Sequence, residues 1–138
     1  VRRLLPHAEL VTPNVPEAED LSGLEIRSLD AMAEAARRIL DLGPQAVLIK
    51  GGHLEDGSSE SVDLLLGEEG ERRFASQRYN TRHTHGAGCT YSAAITAGLA
   101  KGLALADAVA AAKRYVSEAI ATAPGLGAGA GPLNHHAE

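Results

Sequence analysis

The sequence predicts an α/β fold in which helices pack against a buried sheet. Residues 46–49 form a continuous apolar run, which is typical of a central strand that is covered on both faces. Residues 29–42 instead repeat their apolar side chains at helical spacing. Along the whole chain the predicted order is strand, helix, strand, hairpin and two helices, which is the pattern of a layered α/β domain.

Length and composition narrow the class of protein further. The chain has 138 residues, enough for one ordinary domain, and its 44% hydrophobic and 22% charged residues argue against intrinsic disorder. We expect neither a membrane span nor a signal peptide, because Arg2 and Arg3 are followed by only two leucines before Pro6. One cysteine excludes an internal disulfide framework and indicates a reducing, cytoplasmic setting. The net charge of −5 gives no general attraction to nucleic acid or anionic membranes.

The chain begins with a short strand and a short helix. Residues 8–12 are mostly apolar and predict a buried strand, which Pro13 stops. Pro16 suits the first position of a helix, and Glu17 is favoured in its first turn by the helix dipole. Gly23 ends this helix.

The first long helix is predicted over residues 29–42. Ser28 can cap its first turn, and Gly43-Pro44 is a stop signal. The apolar stripe on one face of this helix consists of Leu29, Met32, Ala36, Ile39 and Leu40.

A hairpin follows the central strand. Its strands are predicted at residues 61–66 and 72–78, joined by an acidic turn at residues 67–71. The short separation between the two strands favours a direct hairpin connection over a crossover.

Two Ala-rich helices complete the chain. The first begins at the Gly86 to Cys89 segment and runs to about Lys101, and the second covers about residues 105–122. Residues 124–138 are predicted to be a Gly-rich loop and tail whose last residues fray.

The most informative segment for chemistry is the start of the first of these two helices. Gly86, Ala87 and Gly88 would let a phosphate reach the backbone N–H groups that a helix start leaves without partners. Cys89 would lie in the same turn, where the helix dipole favours its thiolate form and so a role as general base or nucleophile. The alternative is a Gly-rich loop packed on a sheet, with Cys89 as a small buried residue.

Lys50 and Gly51 directly follow the central strand. Ligands bind beyond the carboxyl ends of strands in open α/β sheets, and a lysine beside glycine suits contact with a phosphate. The alternative interpretation is a turn with a solvated lysine.

Asn14 and Glu17 follow the first predicted strand and are three residues apart. An amide and a carboxylate at this spacing can share one face and hold a hydrated Mg²⁺, which prefers oxygen ligands. A capped turn with a dipole-favoured glutamate is the alternative. A phosphate cradle, a lysine and an acidic Mg²⁺ site are together the parts that phosphoryl transfer needs.

Four segments resemble the hydroxymethylpyrimidine/phosphomethylpyrimidine kinases of thiamine biosynthesis, which belong to the ribokinase-like superfamily. They occur in the family's order and span nearly the whole chain. The segments are LVTPNVPEAE at residues 10–19, VLIKGGHL at 47–54, NTRHTHGAGCT at 80–90 and GPLNH at 131–135.

The resemblance implies ATP-dependent phosphorylation of 4-amino-5-hydroxymethyl-2-methylpyrimidine and then of its monophosphate. It implies that the backbone of residues 86–89 forms an anion hole for the transferred phosphoryl group, and that Cys89 stands where most ribokinase-like kinases have an aspartate base. Lys50 and Gly51, with Thr90, would belong to the nucleotide-binding residues. One departure is Ala87, which replaces the usual threonine and so removes a hydroxyl.

The resemblance also implies a metal. Asn14 and Glu17 would form the family's Mg²⁺-phosphate motif, with Glu17 contacting the ion through water. The implied cofactors are therefore ATP and Mg²⁺, and the implied partner is a small pyrimidine substrate.

The match starts near the middle of a typical family member. We therefore expect residues 1–138 to be the C-terminal part of one ribokinase-like domain, a three-layer α/β/α sandwich, without much of the substrate pocket. The sheet edge that this leaves would favour pairing between copies, so a homo-oligomer, a dimer, is expected.

Three other interpretations stay open. A pyridoxal kinase of the same superfamily shares the glycine–cysteine loop. A non-catalytic nucleotide-binding or assembly module would bind ATP without turnover. A structural α/β piece without a ligand would bind none.

Overall fold

The computed structural model describes residues 3–51, 59–79, 81 and 84–137, and it divides into two compact units. The first unit is Val1–Ala75 and the second unit is Ser76–Glu138.

Within the described residues the sheet has four strands in sequential order. They are β1 (Leu10–Val11), β2 (Ala46–Ile49), β3 (Glu60–Gly67) and β4 (Gly70–Gln77). The pairing of β1 with β2 is parallel, whereas β2 and β3 pair antiparallel with Leu48 opposite Leu65. Every residue of β2 is buried, which confirms the prediction of a central strand. The sheet is therefore mixed, and the predicted α/β class is confirmed.

In the described part of the first unit, a short 3-10 helix (Leu5–His7) precedes the sheet, and two α-helices accompany it, α1 (Val15–Ser22) and α2 (Leu29–Leu40). Gly23 ends α1 in a left-handed conformation with φ of 71°, which a residue without Cβ adopts at little cost. Ser28 caps α2, because its Oγ accepts a hydrogen bond from the N–H of Ala31 at 3.1 Å. Both helix boundaries follow from residues that the sequence analysis identified.

The core of the first unit lies between α2 and the sheet. The buried face of α2 packs against β2 and β3, and α1 packs against α2. The predicted stripe provides this face, since three of its members are buried and Leu29 and Leu40 pack at its margin. The fully enclosed large side chains in this core include Ile26, Met32, Ile39, Val47, Ile49 and Leu64.

The second unit contains two helices that pack on each other, α3 (Ala87–Ala100) and α4 (Leu105–Ala121). Their contact is close at Gly98, where a Cβ atom would lie 3.0 Å from the Cβ of Ala108. A side chain at residue 98 would therefore fit only if Ala108 moved by a few tenths of an ångström. None of the helices in the described ranges is both long and apolar enough to cross a membrane.

Several predicted boundaries were wrong by a few residues. The first strand has only two residues instead of five, because Ala8 is followed by an exposed Glu9 and Thr12 lies beyond the ladder. The helix α2 ends at Leu40 rather than at residue 42, and the hairpin turn is shorter because β3 and β4 extend to Gly67 and Gly70.

The Gly98 contact gives a test of the helix pair. We expect Gly98→Val to lower the free energy of unfolding by about 1–3 kcal/mol, because the added side chain must push α3 away from Ala108. Ala97→Val is the matched control on the exposed face of the same helix. Denaturant unfolding of both variants measures the difference, and an equal loss in the two would contradict the close packing.

Candidate active site

Asn14 and Glu17 form a capping box at the start of α1. The Oδ1 of Asn14 accepts a hydrogen bond from the N–H of Glu17 at 2.9 Å, and the Oε2 of Glu17 accepts one from the N–H of Asn14 at 2.8 Å. The capped turn that the sequence left open as an alternative is therefore present. It holds both side chains in fixed positions at the end of β1.

The same asparagine lies next to Lys50. Asn14 and Lys50 pair as a parallel bridge beyond the ends of β1 and β2, and the N–H of Lys50 donates to the carbonyl of Pro13 at 2.9 Å. The residues that follow β1 and β2 thus lie side by side at one edge of the sheet, where open α/β sheets bind ligands. Lys50 forms no ion pair with any residue in the described ranges, so its ammonium group is available to an anion.

Gly51 is held tightly against β3. Its N–H donates to Oδ1 of the buried Asp63 at 2.9 Å, and a Cβ atom on residue 51 would lie 1.8 Å from the carbonyl oxygen of Val62. No side chain can be accommodated at residue 51 without movement of this strand. Asp63 thereby fixes the backbone that directly follows Lys50.

Asp63 is a residue that the sequence analysis missed. It is 2% exposed, although carboxylates are seldom fully buried unless they have partners. Its signal in the sequence is a single charged residue inside the apolar run of residues 62–66.

The donor set at Asn14 and Glu17 suits a hydrated Mg²⁺. Within the described ranges no three His, Cys, Asp or Glu side chains form a group that could hold a metal by themselves. Mg²⁺, however, is usually bound through one or two carboxylates together with water and substrate phosphates. Glu17 is exposed and uses Oε2 in the capping box, which leaves Oε1 for such an ion.

The second unit contains the predicted helix start. Gly86 is the N-cap of α3 with φ of 85°, a left-handed conformation that glycine adopts readily, and no side chain caps this helix. The N–H of Ala87 donates to Thr84 at 3.1 Å and that of Thr90 donates to Gly86 at 2.8 Å. No acceptor for the N–H groups of Gly88 and Cys89 lies in the described part of the chain.

Two free N–H groups at the start of a 14-residue helix suit an anion, because the helix dipole adds to their hydrogen-bonding capacity. Cys89 lies in this first turn, as predicted, and its side chain is exposed. The alternative of a small buried cysteine was therefore wrong. Thr90 is the next residue of the helix and is half-buried.

The predicted site residues thus form two groups. The first unit brings together Asn14, Glu17, Lys50 and Gly51, whereas the second unit contains the segment from Gly86 to Thr90. Of the resembling segments, residues 52–54, Asn80 and residues 82–83 lie outside the described residues.

A family model described as phosphomethylpyrimidine kinase matches residues 1–134. The chain belongs to the phosphomethylpyrimidine kinase family. This membership confirms the family that the four sequence segments indicated.

Two relatives and one solved structure illustrate the similarity. Hydroxymethylpyrimidine/phosphomethylpyrimidine kinase of Staphylococcus aureus (strain MRSA252) is 47% identical over 135 residues, which are 97% of this chain and 49% of that protein. The thiamine biosynthesis bifunctional protein ThiED of Geobacter sulfurreducens is 51% identical over 133 residues, 96% of this chain and 27% of that protein. The ADP complex of Bacillus subtilis pyridoxal kinase has a TM-score of 0.91 and 43% identity, with coverage of 99% of this chain and 53% of that one.

The chain therefore spans about half the length of the family's kinase from Staphylococcus aureus. The matching half of the Bacillus subtilis pyridoxal kinase has the same fold, and the structure of that kinase contains ADP.

A substitution that adds one methyl group at residue 51 tests the close contact between Gly51 and β3. We expect Gly51→Ala to lower the free energy of unfolding by about 1–3 kcal/mol or more, because the new Cβ collides with the carbonyl of Val62. Gly129→Ala is the control, since a Cβ there has no neighbour within 4 Å, and its effect should stay below about 0.5 kcal/mol. Similar unfolding midpoints for the two variants would contradict the role of Gly51.

Proposed function

We propose that the full-length protein transfers the γ-phosphoryl group of ATP to the hydroxymethyl group of 4-amino-5-hydroxymethyl-2-methylpyrimidine and then to the resulting monophosphate, in thiamine biosynthesis. The observation that carries the proposal is the uncapped helix start at Gly86 to Cys89, in a chain that belongs to this kinase family. A free pair of N–H groups in this position suits the charge of a phosphoryl group in transfer.

The proposed reaction forms and breaks one bond each at phosphorus. The hydroxyl oxygen of the substrate bonds to the γ-phosphorus of ATP, and the bond from that phosphorus to the β,γ-bridging oxygen breaks, which releases ADP. Cys89, as thiolate or through a water, takes the proton of the hydroxyl group. The N–H groups of Gly88 and Cys89 hold the transferred group, with Gly86 and Ala87 leaving space for it.

Lys50 is proposed to contact the phosphates of ATP. Its backbone is fixed by the bridge to Asn14 and by the anchoring of Gly51 on Asp63, so its side chain starts from the sheet edge. Thr90 is proposed as a further nucleotide contact. Mg²⁺, bound to Glu17 and Asn14 with water, would supply neutralising charge beside the phosphates.

Pyridoxal is the second candidate substrate. The structural similarity to Bacillus subtilis pyridoxal kinase favours it, since that relative matches 99% of this chain. A comparison of kcat/KM for hydroxymethylpyrimidine and for pyridoxal with the same full-length preparation discriminates the two. A preparation that binds ATP without turnover of either compound would instead support a nucleotide-binding module.

Substitution of Cys89 tests its proposed role as a base. We expect Cys89→Ala to lower kcat by about 10²–10⁴-fold while the KM for ATP changes little, because the thiolate acts in proton transfer and not in nucleotide binding. Cys89→Asp restores a basic group and should recover part of the rate. Equal losses of kcat and of ATP affinity in Cys89→Ala would refute this role.

Substitution of Lys50 should affect the KM for ATP, whereas substitution of Cys89 should affect kcat. We expect Lys50→Ala to raise the KM for ATP by roughly 10-fold or more, because a charged hydrogen bond to phosphate is lost. Lys50→Arg keeps the positive charge and should lose less affinity. Steady-state kinetics with varied ATP give both values, and an unchanged KM in Lys50→Ala would exclude the contact.

A further inference from the structure

The segment from Gly131 to His135, here called the C-terminal strap, is more ordered than its sequence predicts. Gly131 is buried and Leu133 is only 3% exposed, although residues 124–130 before them are almost entirely exposed. The sequence analysis predicted only a Gly-rich loop and tail at these residues, without these contacts. A buried leucine and a set of hydrogen bonds hold it in the second unit.

One end of the strap binds His85, the residue directly before the N-cap of α3. The N–H of His85 donates to the carbonyl of Gly131 at 3.3 Å, and His85 pairs with Pro132 as a parallel bridge. The next residue is Gly86, the N-cap of α3. The strap therefore fixes the backbone immediately before the uncapped helix start.

The other end of the strap is fastened to the last turn of α4 through Asn134. Its N–H donates to the carbonyl of Ala119 at 3.0 Å, and its Nδ2 donates to Oγ1 of Thr122 at 3.0 Å. Its Oδ1 accepts a hydrogen bond from the N–H of His136 at 3.0 Å. Nearby, the hydroxyl of Tyr115 donates to the carbonyl of His135 at 3.1 Å.

We propose that Asn134 is a positioning residue for phosphoryl transfer, which acts by holding the strap and, through His85, the direction of the N–H groups at Gly88 and Cys89. This inference rests on the proposed function of that helix start. Packing against α4 fixes the body of α3, whereas the strap fixes the residue that leads into the first turn of α3. Small displacements of groups that stabilise a transition state reduce rate strongly, even where ground-state binding persists.

Hydrogen exchange tests the strap without any need for activity. In the full-length protein, Asn134→Ala should speed amide exchange in the peptide of residues 84–90 by roughly 5-fold or more, because the hydrogen bonds of His85 and Ala87 open more often. The peptide of residues 29–40 in α2 should exchange at the unchanged rate. His136→Ala is the matched control, because only the backbone of His136 bonds to Asn134.

Kinetics then distinguish positioning from general support of the fold. We expect Asn134→Ala to lower kcat on the order of 10-fold while the KM for ATP stays within about 2-fold of the original value. Thr122→Val removes the acceptor of the Nδ2 hydrogen bond and should reproduce both effects in weaker form. Thr122→Val also replaces Asn134→Ala as the deciding variant if the latter does not fold.

Unchanged exchange in residues 84–90 would overturn the proposal, whatever the activity does. Faster exchange with kcat and KM altered in equal proportion would also overturn it, since the strap would then only support the fold. If the unsubstituted protein shows no kinase activity, the proposed function fails by itself. The exchange experiment then still decides whether the strap holds the helix start.

Discussion

The parallel pairing of the first two strands is the constraint on which the first unit depends. Only two residue pairs form the ladder itself, Leu10 with Ala46 and Val11 with Val47. The bridge between Asn14 and Lys50 continues the same register beyond the strand ends. Because the strands run in one direction, the polar residues that follow each of them emerge at the same edge. The capping box of α1 and the anchoring of Gly51 then fix what this pairing has brought together.

The second unit obtains a fixed geometry by different means. In the described ranges no strand ladder supports the helix start at Gly86 to Cys89. A single bridge, between His85 and Pro132, holds the residue before it. Position there comes from helix packing and from hydrogen bonds of a terminal segment. The proposed site residues of the first unit are thus positioned by the register of the sheet. Those of the second unit are positioned by helix contacts.

Patterns in the sequence were sufficient for the elements with strong local signals. The apolar run at residues 46–49, the Ser28 cap and the glycines at 23 and 86 each act within a few residues, so their effect is visible in the chain order. The role of Asp63 and the order of the strap were not visible, because both depend on partners distant in sequence. Asp63 meets Gly51 across 12 residues, and Asn134 meets Thr122 across the same separation. A pattern of residue types does not specify such contacts. A single carboxylate in an apolar run nevertheless indicates that its side chain needs a hydrogen-bond partner in the folded protein.

The contact between α3 and α4 has a consequence for how motion is transmitted. It is built around Gly98 and Ala108, residues that have no rotamer freedom to lose on folding. At this crossing point neither Gly98 nor Ala108 has a long side chain that could bend or re-pack. A displacement of α4 would therefore pass directly to α3 at this point. The rigidity of the proposed anion-binding turn at the start of α3 would therefore depend on the α3–α4 contact, although that contact takes no part in the chemistry.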